Sequence, residues 1–420
     1  MRKVKLLFQE GYVQALKVLQ SNITPLGFSA STERHVNYFS VWARDHSITT
    51  LAALLTDDEQ LIHASKKGIL LLLQKQNETG QVPSYVEIEK KQTVYGGLGT
   101  ITSIDSNMWV VIAAAQIYQK TKDKRFISER QIVRYKKIYR LLRGCDANNC
   151  GLIEVHQASD WADIFNRSYH VLYDECLYYL ALESISYLYS EHLKVYPECE
   201  NKEKKIKRIR WMTNRYKKIP TILNKNFWLT KDNIARIKDQ YMIYSELRGD
   251  SPFYQSHIIP FKLEWENRFD SFANLLCILS GIATKKRSHA IIDFVKNHQV
   301  HKPFPLRALY PPVTEQDLDW EPIYYHKEQV NHYHNGGIWP MIAGFWIASL
   351  VKLNKQQFAL QEFEQLAQTL KNQGWLFNEY MHGQTSHPLG RDNQAWSAAG
   401  YVMAYHALFE NHIPFTLEKK

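Results

Sequence analysis

The chain has 420 residues, 45% hydrophobic and 22% charged, a balance that excludes a disordered or fibrous protein. A net charge of +10 is spread along the sequence without a zinc-finger, homeodomain or RNA-binding signature, which argues against a nucleic-acid partner. The cysteines Cys145, Cys150, Cys176, Cys199 and Cys277 include no C-x-x-C pair, so neither a disulfide framework nor a zinc ribbon is expected.

The first predicted element is an amphipathic helix over 4–20. Its apolar stretch is broken by Gln9 and Glu10, unlike a signal peptide. No run reaches the roughly 18 apolar residues that span a bilayer. A cytoplasmic protein is therefore expected, with Cys145 and Cys150 reduced although they flank one turn. Apolar residues at helical spacing predict further helices over 45–56, 58–76, 105–120, 125–143, 170–191, 200–218, 267–283, 286–298, 336–353, 356–373 and 393–411. Thr56-Asp57-Asp58 supplies a cap for the third helix, and Ser106 stands near the start of the fourth. Val82–Val86 and Gly151–Val155 read as short strands. The basic run Lys202 to Arg215 reads as a solvated helix face. The stretch 222–257 has weak helical period and is expected to cover one mouth of the fold. No Gly/Ser- or Pro-rich linker divides the chain, so residues 1–420 form one predicted domain. Twelve helices with long connections suit two concentric rings of six, an all-α (α/α)6 toroid.

The connections 34–46, 77–106, 156–175, 240–270, 299–336 and 374–396 concentrate Trp, Tyr, Asp, Glu, Arg, His and Gly, and sites are built on such loops. Aromatics make up 13% of the chain, and sugar clefts need rings on which apolar sugar faces stack. Glycosidic cleavage needs two carboxyls flanking one bond. One candidate is Asp163 in Ser159-Asp160-Trp161-Ala162-Asp163, where Trp161 can raise a carboxyl pKa by desolvation; the competing reading is that these aspartates cap backbone N–H groups. The other is Glu379, bracketed by aromatics in Gly374-Trp375-Leu376-Phe377-Asn378-Glu379-Tyr380, with Gln394-Ala395-Trp396 downstream.

Between them lies Asn331-His332-Tyr333-His334-Asn335-Gly336-Gly337-Ile338-Trp339-Pro340. Its glycines let backbone approach a ligand, Tyr333, His334 and Asn335 can bind hydroxyls, and Trp339 offers a platform. His332 and His334 lack a third ligand at regular spacing, so no metal is expected. Downstream of Trp42, Arg44 and Asp45 read as a substrate clamp or a structural ion pair, and Asp105 and Trp109 add a polar–aromatic pair. No phosphate loop, dinucleotide fingerprint or G-x-S-x-G elbow occurs.

The order of these segments resembles the neutral/alkaline invertases and, more loosely, the glucosidase domain of glycogen-debranching enzymes. The resemblance rests on YHNGGIWP (Tyr333 to Pro340), GW-x-x-x-EY (Gly374 to Tyr380), QAWSAAGY (Gln394 to Tyr401), VWARD, IDSNMW, and WAD followed by YDECLYYLAL, and spans about residues 35 to 410. It implies an inverting glycoside hydrolase acting on an α-glucosidic bond of a small sugar or oligosaccharide, without cofactor. Asp163 would be the proton donor and Glu379 the base that activates water. Trp42, Arg44, Asp45, Asp105, Trp109, Trp161, Tyr333, His334, Asn335, Gly336, Gly337, Trp339, Gln394 and Trp396 would bind sugar. The invertases' basic-rich block after the acid is replaced by Ile164-Phe165-Asn166-Arg167, with a single Arg, so sucrose itself is not implied. A non-catalytic sugar-binding protein, or a trehalase-like enzyme, phosphorylase or epimerase on the same ring, is the alternative; an epimerase would use paired bases among His332, His334, His382 and His387. The sequence leaves a homo-oligomer open.

Overall fold

A computed structural model describes residues 2–34, 37–243, 249–261, 268–303 and 305–417, with backbone alone at 2–4 and 98. Parts of the connections 34–46, 240–270 and 299–336, and the first residue of the helix expected at 267–283, lie outside the described residues. The helices are α1 (Arg2–Ser21), α2 (Ala43–Ala53), α3 (Glu59–Gln74), α4 (Asp105–Thr121), α5 (Glu129–Gly144), α6 (Leu172–Val195), α7 (Lys202–Tyr216), α8 (Ile219–Asn226), α9 (Ile234–Tyr241), α10 (Ser271–Ser280), α11 (Lys285–Asn297), α12 (Pro340–Lys352), α13 (Gln356–Asn372) and α14 (Ala395–Glu410).

Six of them close a ring. α2, α4, α6, α10, α12 and α14 each pack on the next, and α14 returns to α2. Sequence explains which helices go inside. In α2 every residue is buried, and α12 is apolar around its whole circumference apart from its last turn. Such helices need partners on all sides. α1, α3, α5, α7 and α13 instead carry one apolar stripe and pack on the ring from outside, against α14, α2 and α4, α6, α6, and α12 respectively. α11 buries Ile291, Ile292 and Val295 along one face. The result is the all-α (α/α)6 toroid expected from the sequence. Because an outer helix precedes each inner one, the inner helices run parallel and start on one face of the ring. Short strands deliver the chain there: Ser40–Trp42 runs into α2, His170–Val171 into α6 and Phe269–Asp270 into α10.

Asp58 caps α3 as anticipated, accepting from the Gln60 and Leu61 N–H groups. Ser106 caps nothing: Ile104 holds the N-cap position of α4 without a side-chain bond. The strand expected at Val82–Val86 is Tyr85–Glu87, paired with Ser40–Trp42, whereas Gly151–Val155 makes only one bridge, Val155 to Tyr169. The weakly periodic 222–257 stretch holds the end of α8 and all of α9. α8 packs against α6 and α7, and Tyr241 of α9 packs edge-on to His170 at the entry to α6, at 5.9 Å. The basic run is α7, but its face is not wholly solvated, since Lys205 is buried and pairs with Glu129 at 2.6 Å. The five cysteines are free thiols. Among the described residues, no helix is long and apolar enough to cross a membrane.

The tightest inner-ring crossing is α12 on α14. A Cβ at Gly344 would fall 2.5 Å from the Gly400 carbonyl oxygen and 2.8 Å from its Cα, so the two backbones touch. Gly344→Ala and Gly400→Ala are each expected to cost about 1–3 kcal/mol by overpacking. A denaturant midpoint unchanged in both variants contradicts this close contact.

Candidate active site

A cavity of about 180 Å³ opens on the face where the inner helices start. The connections 34–46, 156–175, 299–336 and 374–396 all reach it. Tyr38, Trp42, Arg44, Asp45, Trp161, Asp163, Tyr333, His334, Trp339, Glu379 and Trp396 line it, with the exposed Lys327 at its edge.

The loop before α6 resolves the two readings of its aspartates. Asp160 is the structural one: one oxygen accepts the Ala162 N–H at 2.7 Å and the other accepts from Arg167 at 2.9 Å. Asp163 is left for the cavity, and its Oδ1 has no hydrogen-bond partner. Burial pushes its carboxyl above the usual range, while His334 and Arg44 pull the other way. Trp161 packs edge-on to Trp339 and to His334, at 5.5 and 4.7 Å.

Glu379 enters from the opposite end of the chain. Its backbone N–H bonds the Arg391 carbonyl at 2.8 Å, and the following Tyr380–Met381 pairs with Pro388–Leu389. Its side chain receives the Tyr38 hydroxyl at 3.1 Å from both oxygens. Burial pushes its pKa up to about 7; the Tyr38 hydroxyl and the Arg391 N–H lower it, and Asp45 raises it. Asp45, the third carboxyl of the cavity, is raised by burial to about 6, with Arg44 opposing.

Arg44 donates to Asp105 at 2.7 Å. Asp105 also accepts from Ser103 and Tyr173, at 2.6 and 3.0 Å, and Trp109 donates to the Tyr173 hydroxyl at 2.7 Å. Asp105 and Trp109 are wholly buried. They stand behind Arg44 and are not cavity residues, which corrects their expected sugar contact. His334 is fixed by Glu328, which accepts from Nδ1 at 2.7 Å. Its ring lies parallel to Trp339, 5.2 Å apart.

Asn335 is likewise structural. Its side chain bonds the backbone of Val313 in both directions, at 2.6 and 2.8 Å, and the Glu328 carbonyl at 2.8 Å. Gly336 and Gly337 do not line the cavity either. Gly336 has φ of +93°, and a Cβ on Gly337 would meet the Tyr333 backbone, with N at 2.9 Å. Their expected ligand-side role is corrected to a backbone role. Gln394 is buried outside the lining, with both amide atoms unbonded. Of the four histidines weighed for an epimerase, only His334 lines the cavity; His332 packs instead edge-on to His382, at 4.7 Å. Among the described residues no three His, Cys, Asp or Glu side chains are grouped to hold a metal. Sequence reasoning missed Tyr38 and Glu328. Both lie in connections marked as aromatic- and acid-rich, but nothing at their own positions singled them out.

A family model described as alkaline and neutral invertase matches residues 12–263 and 253–411. Probable alkaline/neutral invertase F of Arabidopsis thaliana is 23% identical, over 91% of this chain and 83% of its own length. Cytosolic invertase 1 of Oryza sativa subsp. japonica is 28% identical over 36% of this chain and 27% of its own. Among solved structures, the GH63 mannosylglycerate hydrolase from Thermus thermophilus in complex with glucose superposes with a TM-score of 0.63 at 14% identity, covering 94% of this chain and 99% of that one. A bacterial glucoamylase complexed with acarbose gives 0.63 at 12%, covering 96% and 56%. At such identities the structural likeness establishes the fold alone.

The Gly336-Gly337 turn yields a test of its corrected role. Gly336→Ala must place a side chain at positive φ, and Gly337→Ala must displace the Tyr333 backbone. Each is expected to lower stability by about 1 kcal/mol or more without ligand. Weakened sugar affinity at an unmoved melting temperature restores the ligand-side role.

Proposed function

The chain belongs to the alkaline and neutral invertase family and is a glycoside hydrolase; we propose that it cleaves the α-glucosidic bond of a small sugar of the sucrose class, with inversion, using Asp163 as general acid and Glu379 as general base. The observation that carries this reading is the contrast between two buried carboxyls in one cavity. Glu379 accepts two contacts from a hydroxyl donor, which favour its anion, and Asp163 keeps a free oxygen in a desolvating wall, which favours its acid.

In the proposed reaction the C1–O bond to the leaving group breaks as Asp163 gives its proton to that oxygen. Water bonds to C1 from the other face and yields its proton to Glu379. Arg44, Asp45 and His334 offer polar contacts to hydroxyls, and Trp161, Trp339 and Trp396 offer apolar faces. Free cysteines agree with a reducing, cytoplasmic setting. The substrate is identified by incubating purified protein with sucrose, trehalose, isomaltose, maltose and short maltodextrins and separating the products. NMR of the first-formed anomer reads the stereochemistry, and a retained anomer overturns inversion.

Asp163→Asn and Glu379→Gln are each expected to keep the wild-type melting temperature and lose at least about 10²–10⁴-fold in turnover, the range of acid–base participation. Turnover within a small factor of wild type removes that residue from its role. The pH profile tests the base separately. A base raised to about 7 must lose its proton to act, so activity falls as pH drops through 7. Tyr38→Phe removes a donor that favours the anion. That limb of the kcat/KM profile is then expected to move to higher pH; an unchanged or lowered limb contradicts the assignment of Glu379.

A further inference from the structure

The acid has no side-chain bond to hold its free oxygen, so its place depends on the loop that carries it. That loop is tied down by Arg167, four residues after Asp163. The Arg167 guanidinium is almost wholly buried between two carboxylates, Asp160 and Asp270. Nε donates to Asp160 Oδ2 at 2.9 Å, and a terminal nitrogen donates to Asp270 Oδ2. Each carboxylate also holds backbone with its other oxygen. Asp160 Oδ1 takes the Ala162 N–H at 2.7 Å, one residue before the acid, and Asp270 Oδ1 caps α10 through the Ala273 N–H at 3.0 Å. Arg167 therefore bolts the acid's own turn to the first turn of an inner helix. It is also the single arginine of the segment that replaces the invertases' basic block, and, held in the bridge, it does not line the cavity.

We infer that Arg167, through Asp160 and Asp270, is a positioning residue that sets Asp163 against the leaving-group oxygen. This rests on Asp163 being the acid. A charge buried between two carboxylates serves this end because both contacts are directional and dry, so the loop cannot swing without stranding a charge. A displacement of about 1 Å in a reacting group costs on the order of 10²-fold.

The test separates positioning from mere structure by the leaving group. In α-glucosyl fluoride the C1–F bond breaks to release fluoride, which needs no proton, while water forms the new C1–O bond with Glu379 taking its proton. Arg167→Lys and Asp270→Asn are assayed on the disaccharide hydrolysed best and on α-glucosyl fluoride, beside Asp163→Asn, with thermal melts on each. The expected result is a loss of about 10²-fold in kcat on the disaccharide with fluoride turnover nearly kept, the pattern of Asp163→Asn in weaker form. Parallel loss on both substrates, or no loss on either, overturns the positioning role. If Arg167→Lys fails to fold, Asp270→Asn decides, because its amide oxygen can still cap α10. If Asp163→Asn itself keeps disaccharide turnover, the acid assignment fails and not the bridge alone.

Discussion

Six parallel inner helices that begin on one face surround a common opening with the ends of their backbones. The first turn of each carries N–H groups without helical partners and the positive end of the helix dipole. The sequence answers with carboxylates: Asp45 in α2, Asp105 in α4, Asp174 and Glu175 in α6, and Asp270 at the cap of α10. The ring thus both assembles a cavity and concentrates acidic groups around it. Cations that would be misplaced in an ordinary core become necessary there, and Arg44 and Arg167 are each buried against such carboxylates.

Burial then sorts the carboxyls. Asp174 has no hydrogen-bond partner on either oxygen, and burial lifts it well above the ordinary carboxylate range, with Arg167 opposing. Asp105 takes Arg44 and two hydroxyls and serves as the anchor for that guanidinium. Asp160 and Asp270 share Arg167. Those left facing the cavity are Asp45, Asp163 and Glu379, all raised by desolvation and none satisfied by a cation alone. Perturbed groups gathered in a cleft are what acid–base chemistry requires.

Periodicity made the ring legible, because inner and outer helices differ in how much of their circumference is apolar, and all twelve expected helices are present. α8 and α9, eight residues each, are too short to show a period above that of their surroundings. The motifs identified segments but not the side of the wall on which each residue stands. Asp105, Trp109 and Asn335 belong to site-bearing segments, yet they face backward into hydrogen bonds that hold Arg44 or the 313–337 loop. Tyr38 and Glu328 act through contacts with residues 341 and 6 positions away, and neither separation leaves a pattern in a single sequence. Glycines gave the same ambiguity: a ligand's approach and a backbone's approach demand the same absence of a side chain.

The two carboxyls proposed as acid and base also differ in how they are held, and the difference matches what each proposed role requires. A base that takes a proton from water works as an anion, so donors on its oxygens help both its charge and its aim; Tyr38 and the Arg391 N–H provide them to Glu379. An acid must stay protonated until the leaving oxygen arrives. Donors on it would lower its pKa, and acceptors would compete for its proton. Its aim has to be fixed without touching its reacting oxygen, which moves the burden from the side chain to the loop. The buried Asp160–Arg167–Asp270 bridge, the Phe165 ring stacked on Tyr324 at 5.6 Å, and the Asn166 N–H bonded to the Tyr324 hydroxyl at 2.7 Å grip the segment after Asp163. The free oxygen and the heavily bonded loop are thus two sides of one requirement.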